Sequence, residues 1–238
     1  MGLDKYLAQM SVGTRSEVKK IIKSGRVFVN GQCVQKAEHK VDENADRVEV
    51  DGCEVAYAAY EYYMLNKPQG VVSAVSDARD QTVVSLIRDS RRNDLFPVGR
   101  LDKDTEGLLL ITNDGPLSHA LLSPGRHVDK TYLLWADGVV TGEDVQILEQ
   151  GVDIGDDKMT LPARARILEV KDQRTCMTLT IHEGRYHQVK RMLAAVGKPV
   201  VYLKRLQMGS LTLDESLKPG QYRALTPEEV EALKGGSR

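Results

Sequence analysis

The hydrophobic and polar positions of the first fifty residues switch period twice. Thr14-Arg15-Ser16-Glu17 has the capping-box pattern, in which Thr14 accepts from the Glu17 amide while the Glu17 side chain reaches back. Val18, Ile21 and Ile22 then recur at helical spacing. Gly25 stops this helix as a left-handed cap, and Arg26-Val27-Phe28-Val29 alternates as a strand into Asn30-Gly31, a type I′ hairpin signal. After Val50-Asp51-Gly52 the stretch from Glu54 to Tyr60 has no sustained period, which predicts a domain boundary there and two domains, 1–56 and 57–238.

In the second part, Tyr62-Tyr63-Met64-Leu65 predicts a buried strand stopped by Asn66-Lys67-Pro68-Gln69-Gly70. A short apolar helix is expected over 82–87 and a strand over 95–98. The charged loop Gly99-Arg100-Leu101-Asp102-Lys103-Asp104-Thr105-Glu106-Gly107 leads into Leu108-Leu109-Leu110-Ile111-Thr112, a buried strand closed by Asn113-Asp114-Gly115. Thr141 caps a helix, and Val189, Met192, Leu193 and Val196 share one helix face. Thr226-Pro227-Glu228-Glu229 start a last helix, from which Gly235-Gly236-Ser237-Arg238 trail. Strands over 163–170, 175–181 and 201–206 include neighbours joined without helices. That order predicts an α+β class with a mixed, mainly antiparallel sheet flanked by helices, not a doubly wound one.

Composition narrows the class. The 238 residues are 41% hydrophobic and carry 33 Lys+Arg against 34 Asp+Glu, enough apolar content for a substantial core and a net charge of −1 that excludes a polycationic coat protein. The absence of a long apolar run or a leader pattern points to a cytoplasmic protein with no membrane association. Cys33, Cys53 and Cys176 lack paired spacing, so neither a disulfide framework nor a zinc site is expected. The net charge hides strong local bias. From Lys5 to Lys40, eight basic residues face Glu17 and Glu38, a local charge of 8 − 2 = +6. From Asp137 to Asp157 there are seven acids and no Lys or Arg, and from Arg185 to Arg205 six basic residues and no acid. On the capped helix Arg15, Lys19, Lys20 and Lys23 span an arc of about 140°, apart from the apolar arc. These stretches predict two basic surfaces and an acidic one turned away from any polyanion.

The loop 99–107 bears the chemistry-prone residues. Asp102, Asp104, Glu106 and Gly107 imitate part of a calcium loop, but the following apolar run and Asn113 at the twelfth position break it. His182 and His187 lie five apart, where a zincin helix needs four, and Gly184 interrupts them, so no metal is expected.

Residues 3–31 resemble the S4 (α-L) RNA-binding domain, in the order of cap, helix, Gly and hairpin. The loop Gly99-Arg100-Leu101-Asp102 resembles the central motif of RsuA-like pseudouridine synthases, which join an S4 domain to a catalytic domain. That family's other motifs follow in order as Asn66-Lys67-Pro68-Gln69-Gly70, Lys130-Thr131-Tyr132, and the run from Glu183 through Tyr186, His187 and Lys190 to Met192. The resemblance implies a small S4 domain followed by a pseudouridine synthase domain. It also implies Asp102 as nucleophile, Tyr132 as the active-site tyrosine and Lys190 as the cation paired with Asp102, with Arg100 helping to hold an everted nucleotide. Lys67 and Arg185 of the shared motifs, and Arg15, Lys19, Lys20, Lys23 and Arg26 of the S4-like segment, are the expected RNA contacts. Isomerising uridine breaks an N-glycosidic bond and rejoins the base through carbon, for which a carboxylate suffices without a cofactor. The base must be unstacked to be reached. The expected substrate is ribosomal RNA or a ribosomal assembly intermediate, 16S by family analogy, with the chain acting as a monomer. The rivals are a 23S uridine, or a non-catalytic RNA-binding or assembly protein that kept the fold.

Overall fold

The computed structural model describes residues 1–126 and 128–235, so the trailing residues 236–238 lie outside it. The chain forms two compact units, Met1–Glu61 with Arg88–Leu95, and Tyr62–Ile87 with the rest of the chain.

The first unit contains α1 (Leu3–Gln9), α2 (Arg15–Lys23), β1 (Val27–Val29), β2 (Gln32–Cys33), β3 (Val48–Val50) and β4 (Cys53–Glu54). The strands form an antiparallel sheet in the order β2-β1-β3-β4. Both halves of the Thr14/Glu17 capping box form, and Gly25 follows α2 at φ +79°. Asn30 and Gly31 are both left-handed, at φ +50° and +77°, as a type I′ turn requires. Leu3, Tyr6, Leu7, Val18, Ile22, Val27 and Val48 make the core.

This unit is longer than the boundary at residue 56 anticipates. The Tyr57 ring lies 5.2 Å from that of Tyr6, and the Tyr6 hydroxyl donates to the Val55 carbonyl at 2.7 Å. Ser90 Oγ donates to Glu61 at 2.6 Å and Arg92 Nη1 to the Ala58 carbonyl at 3.3 Å. Long-range side-chain pairing of this kind has no periodic signature, so residues 88–95 could not be assigned to the first unit from pattern.

The second unit comprises β5 (Tyr62–Lys67), β6 (Phe96–Pro97), β7 (Glu106–Thr112), α3 (Gly115–Leu122), β8 (Lys130–Asp137), α4 (Gly142–Gln150), β9 (Arg164–Lys171), β10 (Arg174–Ile181), α5 (Gln188–Ala195), β11 (Val200–Met208), β12 (Leu211–Thr212), β13 (Tyr222–Ala224) and α6 (Pro227–Gly235). Its sheet runs β13-β5-β7-β11-β8-β10-β9, with β6 on β7 and β12 on β11. Every pairing is antiparallel except β7 with β11. The mixed, mainly antiparallel α+β sheet is therefore as the strand order predicts. β7 lies between β5 and β11, and Leu108, Leu109, Leu110 and Ile111 are all buried, which accounts for four consecutive apolar residues where a half-exposed strand would alternate. The expected helix at 82–87 is only a 3₁₀ turn, Val84–Leu86. Its β-branched valines favour extended backbone, and Val72 pairs with Thr82 in an isolated bridge.

One glycine fixes the join between the site loop and the sheet. Gly107 sits at φ +104°, where a Cβ would lie 2.2 Å from the Arg205 carbonyl oxygen. Only a residue without a side chain lets β7 approach β11 there.

Candidate active site

Asp102 lies in the loop between β6 and β7. Its carbonyl accepts from the Thr105 amide at 3.0 Å, closing a tight turn. Ser73 holds the residue before it from both sides, Oγ donating to the Leu101 carbonyl at 2.8 Å and accepting from the Leu101 amide at 3.0 Å. The Gly70 amide donates to the Lys103 carbonyl at 2.7 Å. The Asn66-to-Gly70 turn thus serves as the foundation on which the Asp102 turn is built.

Lys67 completes that foundation and corrects an expectation. As a nucleic-acid contact it would have to reach solvent, yet it is fully buried. Its ammonium donates to the carbonyls of Pro68 at 3.0 Å, Thr105 at 3.0 Å and Lys103 at 3.4 Å. Burial lowers its pKa to about 8, against the opposing pull of Asp104, Asp102 and Glu106. Lys67 pins the turn that carries Asp102 instead of touching RNA.

Lys190 comes from α5. Its ammonium is 3.0 Å from Asp102 Oδ2 and 2.6 Å from Asp104 Oδ1. Burial alone would lower the Lys190 pKa, but the hydrogen bonds it donates to Asp104 and Asp102 outweigh it and raise the pKa above the usual lysine value. The same lysine lowers the Asp104 carboxyl. His187 Nε2 is 3.4 Å from Asp102 Oδ1. Sequence reasoning missed both Asp104 and His187 as members of this cluster; the available signal was the i, i+3 spacing of His187 and Lys190 at a helix start.

Asp102, Tyr132, Lys190, Arg100 and Arg185 all line one cavity of about 130 Å³. Tyr132 is on the buried face of β8, opposite Leu179 of β10 and Arg205 of β11. Beside it lie two buried cations to which the sequence assigned no role, Lys130 of the same motif and Arg205. Lys130 donates to the Val128 carbonyl at 2.8 Å and has its pKa lowered by burial, then by Arg205. Arg205 donates from Nε to the Leu108 carbonyl at 2.7 Å, while its Nη2 is buried with no hydrogen-bond partner among the described residues. Such an atom costs free energy unless a ligand satisfies it.

Arg100 is exposed at the rim. Arg185 lines the same cavity but is already engaged: it bonds Glu183 at 3.0 Å and the carbonyls of Lys158 and Met159 at 2.6 and 2.8 Å. Asp156 Oδ2 stands 3.5 Å from its Nη1, and Asp156 also takes a 2.6 Å contact from Arg191. The acidic run therefore does not turn away from the 185–205 run; Asp156 near its end folds onto two of that run's cations, Arg185 and Arg191. In the first unit Arg15, Lys19, Lys20 and Lys23 are all exposed along α2, whereas Arg26 forms an ion pair with Asp51.

The geometry is that of a carboxylate held by lysine in a narrow pocket walled by tyrosine. Residues 61–195 match the RNA pseudouridylate synthase family model and residues 1–46 the S4 domain. The chain is 50% identical over 234 residues to a Bacillus subtilis (strain 168) protein named as an uncharacterised RNA pseudouridine synthase, with 98% of each chain covered. It is 43% identical to the ribosomal small subunit pseudouridine synthase A of Vibrio vulnificus (98% of this chain, 99% of the relative), and 40% identical to the ribosomal large subunit pseudouridine synthase B of Bacillus subtilis (98% and 95%). A solved pseudouridylate synthase crystal structure superposes with a TM-score of 0.67 at 38% identity, covering 98% of this chain and 99% of that one. The chain belongs to the RsuA-like family of RNA pseudouridine synthases, with an S4 domain ahead of the catalytic domain.

Proposed function

We propose that this enzyme isomerises a specific uridine of ribosomal RNA to pseudouridine, with Asp102 as the nucleophile and 16S RNA as the substrate. The observation that carries the mechanism is the Asp102–Lys190 contact of 3.0 Å in the cavity beside Tyr132. An ammonium at that distance favours the carboxylate form a nucleophile needs. In the proposed step an Asp102 oxygen bonds to C1′ of the flipped uridine as the N1–C1′ bond breaks, and the electron pair stays on the uracil ring. The ring turns over, C5 bonds to C1′, and the carboxylate leaves. The proton lost from C5 and one gained at N1 balance the isomerisation, with no redox change. Tyr132 offers the detached ring a stacking face during the turn. Arg100 at the rim is placed to hold the everted nucleotide.

The 16S assignment draws on the small-subunit relatives, and the large-subunit relative at 40% identity supports 23S as the second reading. Mapping pseudouridines in ribosomal RNA from cells with and without the gene tests both. Loss of one 16S pseudouridine is the expected result. Loss of a 23S site moves the substrate to the second reading, and an unchanged map refutes both.

A further inference from the structure

A second, wider groove of about 860 Å³ adjoins the narrow cavity and shares Arg100 and Asp102 with it. Tyr186 lines this groove but not the narrow cavity, and it is 74% exposed, the most exposed large hydrophobic side chain among the described residues. One face of its ring is covered, because it stacks on His187 with centroids 3.8 Å apart and planes 17° from parallel. His187 in turn approaches Asp102 at 3.4 Å, so the two rings form a short stack standing on the candidate nucleophile.

The backbone beneath this stack is fixed. His187 is left-handed at φ +48°, an uncommon conformation for a residue with a side chain, and it sits at the start of α5. The Arg185 amide donates to Gln188 Oε1 at 2.9 Å, and Arg191 Nη1 donates to the Tyr186 carbonyl at 3.2 Å. An exposed aromatic ring on a rigid turn, stacked on one face, is a platform for a second flat ring. Val72, Val75 and Leu122 add apolar lining to the same groove, Val75 and Leu122 being 54% and 43% exposed.

We infer that Tyr186 is the stacking site for a nucleobase next to the target uridine, so that the wide groove holds the neighbouring nucleotide while the narrow cavity holds the uridine. This rests on the proposed function. Flipping a base out of a strand leaves its neighbour with one bare face, and a fixed aromatic ring restores that stacking in a sequence-tolerant way. Tyr186 touches Asp102 only through His187, which suits a substrate-positioning residue and not a catalytic one.

The test uses the full chain and in vitro transcripts of 16S and 23S RNA labelled with tritium at uridine C5, whose release reports the reaction. Tyr186→Ala is expected to raise KM about 5- to 150-fold, the span found for removing one base–aromatic stack. Its kcat should stay within about threefold, since the lost binding is equal in ground and transition states. Tyr186→Phe and Tyr186→Trp should restore KM, whereas Tyr186→Leu, which keeps apolar bulk but has no π face, should not. Once the modified uridine is located, a short synthetic RNA with an abasic residue at one side of it should show the same KM rise with the unmutated enzyme and no further rise with Tyr186→Ala. An unchanged KM for Tyr186→Ala, full rescue by leucine, or effects of the abasic residue and Tyr186→Ala that multiply would each overturn the stacking site. If the unmutated chain releases no tritium from either transcript, whether free or assembled with ribosomal proteins into a partial particle, the functional reading itself fails and the site with it.

Discussion

The two basic stretches, 15–23 and 185–205, look equivalent along the chain but have opposite fates in the fold. On α2 the cations Arg15, Lys19, Lys20 and Lys23 point to solvent. In the second stretch four of the six cations are engaged: Lys190 by Asp102 and Asp104, Arg185 and Arg191 by Asp156, and Arg205 buried at the cavity. Charge on α2 remains available to a polyanion, while charge in the second stretch builds and rigidifies a site. Runs of like charge in a sequence therefore identify a surface only when no acidic segment folds back on them. Here Asp156, from a run expected to turn away, does fold back.

The largest effect should come from the site side of this contrast. Asp102→Asn is expected to lower pseudouridine formation by about 10⁴-fold or more, the scale of removing a nucleophile. The fold and RNA binding should persist, because Lys190 keeps its 2.6 Å contact with Asp104 and no buried cation is stranded. Substantial product from this variant, followed by tritium release, would remove Asp102 from the mechanism.

Next in size is Lys67, a cation that belongs with the structural set although its motif suggested otherwise. Lys67→Ala takes the ammonium away from the Pro68, Thr105 and Lys103 carbonyls, of which the last keeps the Gly70 amide, and should destabilise the second unit by about 3 kcal/mol, read as a fall in Tm. RNA affinity measured well below the new Tm should be unaffected. Lys67 also gives a pH signature. Its folded pKa of about 8 lies below the ordinary lysine value of 10.5, so between those values the unfolded chain binds more protons and stability rises with pH. Relative to Lys67→Met, which has nothing to titrate there, the unmutated protein should gain about 2 kcal/mol of stability from pH 7 to pH 10. A difference that stays flat across that window would mean the ammonium is not desolvated.

Much of this arrangement was legible before any coordinates, for identifiable reasons. The capping box at Thr14, the left-handed Gly25 and the Asn30-Gly31 turn are local devices, and each formed where its residues stand. The loop 99–107 announced itself as a charged segment between apolar strands, and the motif residues Asp102, Tyr132 and Lys190, 88 positions apart at the extremes, do line one cavity. Pairing that depends on the path of the chain was not legible. Nothing local says that β11 inserts between β7 and β8, which is what brings Arg205 to the cavity, or that residues 88–95 pack against 57–61. Lys67 was misassigned for the same cause: a lysine in a Pro-Gly turn is usually solvated, and only the approach of the 102–105 turn buries it.

The smallest expected effect tests the opening contrast most directly. Each α2 cation that neutralises a phosphate contributes about 0.7 to 0.9 to the slope of log affinity against log salt. Lys19→Ala and Lys20→Ala should each flatten that slope by nearly one unit, weakening binding at low salt more than at high salt and doing so for any RNA sequence. Arg191→Ala removes an equal formal charge from the other run, but that charge is already met by Asp156 at 2.6 Å. Its loss should leave the slope unchanged and appear instead as lower stability, by about 1 kcal/mol, because the Tyr186 and Ile154 carbonyls lose their donor. Filter binding across a salt series with the three variants decides it. A slope that falls equally for Arg191→Ala would show that Asp156 gives way when RNA arrives, and that the two basic runs act alike after all.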